Sequence, residues 1–161
     1  MTDADRPAVD VRSTLSISHQ STVVGRDGPA DGQTYQALIG TDDRPTDRVR
    51  LGRATYLPGT VEQLHWHPVE ALYYVISGHA TVRDVEGHET EVGPGSVVYA
   101  PAGIAGAHEW RVHEALELLD IRATNETSRK LQFTVDPDTL RSSIDVEELA
   151  RRDGVSFRSH Y

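Results

Sequence analysis

The stretch Gly59-Thr-Val-Glu-Gln-Leu-His65-Trp-His67-Pro-Val-Glu70-Ala-Leu-Tyr-Tyr-Val-Ile-Ser-Gly78 decides how this chain is read. It sets two histidines one residue apart, follows them with a carboxylate, and ends in an apolar segment closed by glycine. Side chains of a strand alternate between faces, so His65 and His67 share one face and Trp66 takes the other. At a rise of ~3.3 Å per residue the two imidazoles stand about 7 Å apart, near enough to meet on one ion with side-chain adjustment. The apolar segment that follows places the pair on a packed sheet.

Working outward, short β segments are predicted at 49–56, 62–67, 72–76, 80–85, 96–100 and 115–123, with a further strand at 34–40 and an edge strand at 14–19. Pro58-Gly59, Ser77-Gly78, Glu86-Gly87, Gly93-Pro94-Gly95 and Pro101-Ala102-Gly103 punctuate them. Strands of about 5–6 residues with turns at regular intervals point to an all-β sandwich or barrel. No helical period interrupts residues 49–123, which argues against alternating strands and helices. One short helix is predicted at 146–152, capped by Ser143 or Asp145, with arginines in its last turn and Gly154 beyond. The expected organisation is one domain: an N-terminal arm with edge strands (1–48), a barrel core (49–123) and a C-terminal extension with the short helix (124–161).

Composition narrows the function classes. A hydrophobic content of 37% with 25% charged residues fits a soluble globular protein. A net charge of −9 without a basic run argues against general affinity for nucleic acid or anionic membrane. The chain has no apolar window of membrane-spanning length, about 18 residues, and its polar, acidic first fifteen residues argue against a secretory leader, so a cytoplasmic location is expected. The absence of cysteine removes disulfides, thiolate metal sites and cysteine nucleophiles together. The only lysine, Lys130, sits in a polar stretch, a poor setting for a Schiff base. There is no Gly-x-Ser-x-Gly elbow, P-loop or dinucleotide fingerprint.

Gly59, five residues, His65-Trp66-His67, then Glu70 and Gly78, resembles the first motif of the cupin superfamily. Gly95, five residues, Pro101-Ala102-Gly103, then His108, resembles the second. The resemblance covers about residues 49–123 and implies a double-stranded β-helix, the jelly-roll barrel. It also implies one divalent metal held by His65, His67 and His108, a small-molecule substrate, and a homodimer. Two departures stand out. Reading back from Tyr74-Val75-Ile76-Ser77-Gly78, the family's glutamate position falls on Ala71, and Glu70 comes one residue early. Glu70 faces away if the strand is regular there; it reaches the metal, or a ligating histidine, if the Pro68-Val69 turn is irregular. The family's third histidine would fall on Gly106, and His108 lies two residues later, which preserves parity. His113 competes for that role from the opposite face of a regular strand. His19, His79, His88 and His160 read as surface residues.

Three neutral imidazoles leave the ion its full charge and open positions, which favours an anionic, chelating substrate. Fe(II), Mn(II), Ni(II), Co(II) and Zn(II) all suit imidazole. The three-histidine pattern is similar to that of cupin dioxygenases, which implies iron and O₂, so Fe(II) and dioxygenase chemistry are favoured. Cyclase, lyase or isomerase chemistry and a binding module without turnover are the alternatives. Parity turns Ala71, Tyr73, Val75 and Ser77 inward, places Trp110 on the face of His108, and offers Tyr99 or Val98 as cavity wall. Tyr73 is a candidate acid or hydrogen-bond donor, and Trp66 is expected to pack on N-terminal strands or another subunit.

Overall fold

A computed structural model describes residues 13–123 and 132–143. Within them the chain forms strands β1 (Arg26–Asp27), β2 (Gln33–Ile39), β3 (Val49–Tyr56), β4 (Val61–Trp66), β5 (Ala71–Ser77) and β6 (Ala80–Asp84). These are followed by β7 (Glu89–Val92), β8 (Val97–Ala100), β9 (His108–Val112), β10 (Leu116–Ala123), β11 (Phe133–Val135) and β12 (Ser142–Ser143). They pair antiparallel into two six-stranded sheets, ordered β1-β2-β3-β10-β5-β8 and β12-β11-β4-β9-β6-β7. This is the all-β architecture that the strand pattern predicts and the jelly roll that the resemblance implies, and among the described residues no helix is long and apolar enough to cross a membrane.

Period-two alternation builds the interior. Ala71, Tyr73 and Val75 of β5 are buried while Leu72, Tyr74 and Ile76 are exposed, and His108, Trp110 and Val112 of β9 repeat the pattern. Leu116 and Leu118 of β10 meet them from the same side of their own sheet, closing an apolar cluster with Ala54, Tyr56, Ala80, Val92 and Ala100. The largest buried side chain is Trp110, whose ring lies 5.5 Å from that of Tyr73. The turns need glycine where backbones crowd: a Cβ on Gly78 (φ +83°) would stand 2.1 Å from the carbonyl oxygen of Ala115.

Several expectations are corrected. Residues 14–19 form no strand; Leu15 and Ile17 alternate properly but find no sheet face, and β1 takes the edge beside β2. Strand β2 hydrogen-bonds along β3, so it belongs to the sheet interior. Ser77 is exposed, because the β5–β10 register shifts between Val75 and Ser77 and a one-residue slip turns a side chain to the other face. Tyr99 is also exposed, on the outer face, while Val98 packs against the core. Trp66 stacks on Phe133 at 4.2 Å and donates to Ser142 Oγ at 2.8 Å, so its partners are C-terminal strands and not N-terminal ones. The helix predicted at 146–152 lies outside the described residues.

Candidate metal centre

Strands β4 and β9 face each other across one rung, His65 opposite His108. That pairing, with the alternation that turns His67 the same way, brings three buried imidazoles together. Their ring centroids stand 4.4 Å (His65–His108), 5.0 Å (His65–His67) and 6.0 Å (His67–His108) apart. One nitrogen from each lies within 4.8 Å of the other two. His108 reaches the cluster through a single 3₁₀ turn, Ile104–Gly106, that absorbs the longer loop. A Cβ on Gly106 would meet the Pro101 carbonyl oxygen at 1.9 Å, so only glycine lets the chain pass there.

The hydrogen bonds prepare two of the rings as ligands. Nδ1 of His65 donates to the Gln63 carbonyl at 2.6 Å, and Nδ1 of His108 donates to the Gly106 carbonyl at 2.8 Å. A carbonyl only accepts, so each neutral ring keeps its lone pair on Nε2. Burial holds the His65 pKa down to about 4, and burial together with the neighbouring His65 brings His108 down to about 3. Both are therefore uncharged near neutrality, the form that binds a cation. The third ring differs: its Nδ1 faces Nη1 of Arg122 at 3.1 Å, and a guanidinium can only donate. The donor set fits a divalent ion, with His65 and His108 already in the ligand form and His67 needing to shift its proton.

Around the histidines lies a polar shell that parity alone does not place. Tyr73 O–H stands 3.1 Å from Nε2 of His108. Burial raises the Tyr73 pKa far above its ordinary value, so the phenol stays protonated and donates. Arg122 binds Asp120 Oδ1 at 2.9 Å; burial works against its charge, but the Asp120 carboxylate together with Tyr73 and Tyr35 outweighs that and raises its pKa. Glu62 Oε1 lies 3.6 Å from His65 Nε2, and burial raises the Glu62 pKa. Residues 62 and 65 have opposite parity, yet both face inward. The reason is a β-bulge: Glu62 pairs with Trp110 and His65 with His108, three steps on β4 against two on β9. Asp120 and Arg122 were legible in principle, since both continue the buried Leu116–Leu118 alternation with charged residues where apolar ones belong.

Glu70 is on the outside. It is exposed and accepts a hydrogen bond from Tyr99 O–H at 3.0 Å, so the turn does not bring it to the histidines, and the inward position beside it is held by Ala71. His113 sits beyond the end of β9, against Thr81 Oγ1 at 2.6 Å, away from the cluster. His79 and His88 pair with Glu114 and Asp84 at the surface.

A cavity of about 590 Å³ adjoins the centre. Gln33, Tyr35, Arg50, Tyr56, Asp120 and Arg122 are among its walls, and Glu62 and Tyr73 stand where it meets the histidines. Its volume suits a small organic molecule. Its lining mixes polar and apolar side chains and carries both signs of charge.

Among solved structures, the chain is similar to the polyketide cyclase RemF from Streptomyces resistomycificus, at 23% identity and TM-score 0.60, covering 69% of this chain and 80% of that one. It is similar to KdgF from Halomonas sp. at 19% identity and TM-score 0.61, covering 72% and 99% respectively. It is also similar to the DMSP lyase DddQ from Ruegeria pomeroyi DSS-3 at 18% identity and TM-score 0.61, covering 73% of this chain and 64% of that chain. At such identities the likeness is one of fold. No curated protein matches the chain in sequence. The family model for the cupin domain matches residues 52–122, the interval that carries His65, His67 and His108. Sequence and fold agree on that interval: residues 52–122 form a cupin domain, with the histidine cluster inside it.

Proposed function

We propose that this cupin is a metal-dependent enzyme that moves protons on a small, polar, anionic molecule, in a reaction of cyclase, lyase or isomerase type. The observation that carries the reading is the Tyr73 hydroxyl, 3.1 Å from the ligand nitrogen of His108, on a residue that lines the cavity. His65, His67 and His108 would hold the ion; a bound Fe(II), Mn(II), Ni(II), Co(II) or Zn(II) supplies Lewis acidity to polarise a substrate oxygen. Tyr73, kept protonated by burial, donates to an oxygen that gains charge beside the cluster. Arg122, its charge secured by Asp120, offers the anionic end of a substrate a fixed cation at the cavity wall. The dioxygenase chemistry favoured by sequence rests on the three-histidine pattern; the protonated phenol beside the cluster shifts the balance to proton transfer. Two proteins of similar fold carry the names cyclase and lyase, which agrees with this choice. The homodimer that the resemblance implies has a candidate surface in exposed Leu72, Tyr74, Ile76, Val97 and Tyr99, which share the outer face of β5 and β8.

The test pairs metal analysis with a chemical readout. Wild type reconstituted with each metal is expected to hold one ion per chain, and His67→Ala to lose it. A panel of β-diketones, hydroxy acids and aromatic acids in D₂O is then followed by NMR for solvent deuterium and by an oxygen electrode. Deuterium incorporation without oxygen uptake supports the proposal, with Tyr73→Phe slower by about 10²–10⁴-fold. Stoichiometric oxygen uptake restores the dioxygenase reading, and a wild type that binds no metal ends both.

A further inference from the structure

Strands β3 and β10 pair Arg50 with Arg122 and Gly52 with Asp120, so these four residues share one face of their sheet. Arg50 and Arg122 both line the cavity. Two cations directly opposite one another on adjacent strands repel and destabilise the pairing. Asp120 relieves Arg122 by accepting its Nε–H at 2.9 Å. Sequences break the local rules of pairing chiefly at functional sites. An anion seated between the two guanidiniums turns their repulsion into attraction.

Tyr35 shows that the place is built. Its backbone pairs with Ala54 of β3, and its ring slants back over Gly52. A Cβ at Gly52 would stand 1.9 Å from the Tyr35 hydroxyl oxygen, so only glycine lets the ring lie there. The ring supports the Arg50 guanidinium, whose central carbon is 5.1 Å from the ring centroid. Burial and then the Asp120 carboxylate raise the Tyr35 pKa, while Arg50 and Arg122 work against them, so all three charges surround this one side chain. A guanidinium has five N–H donors. Arg50 can therefore keep partners within the chain and still present an edge to a ligand.

Charge and shape favour one class of anion. The cavity is also lined by the carboxylates of Asp120 and Glu62, and by exposed Asp27, Asp42 and Asp43. A doubly charged phosphate meets more repulsion from them than a singly charged carboxylate does. The two coplanar oxygens of a carboxylate also match the fork of a guanidinium.

We propose that Arg50 and Arg122 form a carboxylate subsite, with Arg50 as the specificity-determining residue and Tyr35 as its positioning residue, and that the substrate is a small carboxylic acid. The inference rests on the reading of an anionic small molecule above and narrows it to one chemical class. Arg50 and Tyr35 both stand outside residues 52–122, so the cupin domain does not by itself supply this subsite.

Fluorine NMR titration of the full chain, loaded with Zn(II), tests it with para-fluorobenzoate, its uncharged counterpart para-fluorobenzamide, and inorganic phosphate as competitor. Wild type is expected to bind the acid at least about tenfold more tightly than the amide. Arg50→Gln is expected to lose at least about tenfold in affinity for the acid, with affinity for the amide and for Zn(II) unchanged. If Arg50→Gln does not fold, Tyr35→Leu, which removes the ring beneath the guanidinium, is expected to weaken the acid at least about threefold, and Tyr35→Phe to restore it. An acid bound no better than the amide, undiminished affinity for the acid in Arg50→Gln or Tyr35→Leu, equal losses in Tyr35→Leu and Tyr35→Phe, or phosphate bound more tightly than the acid overturns the proposal. A wild type that binds the acid through Arg50 yet holds no Zn(II) upholds the subsite and ends the metal reading.

Discussion

Arg122 donates to Nδ1 of His67 across 3.1 Å while its Nε–H holds Asp120 Oδ1 at 2.9 Å. The pair explains why one ligand histidine is poised differently from the others. With Nδ1 accepting, the neutral His67 ring keeps its proton on Nε2, and binding an ion through Nε2 obliges Arg122 to turn away. Arg122→Gln removes the cation and offers an amide oxygen that can accept Nδ1–H. Zinc affinity, measured by chelator competition, is expected to rise in that variant.

The same substitution leaves Asp120 buried without its partner. Breaking a buried ion pair from one side costs about 3–5 kcal/mol, so Arg122→Gln should unfold at markedly lower urea than wild type. Adding Asp120→Asn is expected to recover most of that loss. If the double variant is no more stable than Arg122→Gln, the pairing of Asp120 with Arg122 is not what holds this corner of the barrel.

Two glycines in one loop separate steric from conformational cost. Gly103 has φ 86° and ψ −173° with open space where a Cβ would stand, so Gly103→Ala carries backbone strain of about 1–3 kcal/mol and little else. In Gly106→Ala the Cβ meets the Pro101 backbone, which displaces the 3₁₀ turn and the carbonyl that orients His108. Zinc affinity is expected to fall in Gly106→Ala and to hold in Gly103→Ala. Equal affinities would show that His108 does not depend on the turn.

Metal-free protein should lose stability as the solution is acidified below neutrality. The pKa values of His65 and His108 are depressed from 6.5 to about 4 and about 3. The unfolded chain therefore takes up two protons as pH falls through 6.5, while the folded chain refuses them until about 4 and about 3. Each ring contributes up to ~1.4 kcal/mol of loss per pH unit in that window. Glu62 opposes them: with its folded pKa raised, its contribution is complete below the ordinary carboxylate range and fades as pH rises. Two rings outweigh one carboxyl, so the melting temperature at pH 5 should lie below that at pH 7. A flat profile would mean that the rings are not held neutral by burial.

Glu70 makes the contrasting case. Its carboxylate accepts from Tyr99 on the exposed outer surface, so Glu70→Gln should leave zinc affinity unchanged and stability within about 0.5 kcal/mol. A loss of zinc binding in this variant would require a rearranged Pro68–Val69 turn.

What could be read in advance follows a simple division. His65 and His67 share a face because two residues of one strand keep parity without help from any neighbour. The strand series, the glycine turns and the inward run Ala71, Tyr73 and Val75 are local in the same sense, and they carried the all-β reading. Parity fails where pairing with another strand inserts a bulge. Ser77 left the interior that way, and Glu62 entered it, since the register of β4 on β9 is set by side chains more than forty residues away in sequence. The partners of Trp66 and the salt bridge behind His67 are also long-range contacts, decided when β10 and β11 dock. The sequence by itself determined the barrel, its turns and the histidine pair, because alternation and turn chemistry act over a few residues. Only the tertiary structure decided which carboxylate faces the cluster, because that depends on where a bulge forms, and a bulge belongs to two strands at once.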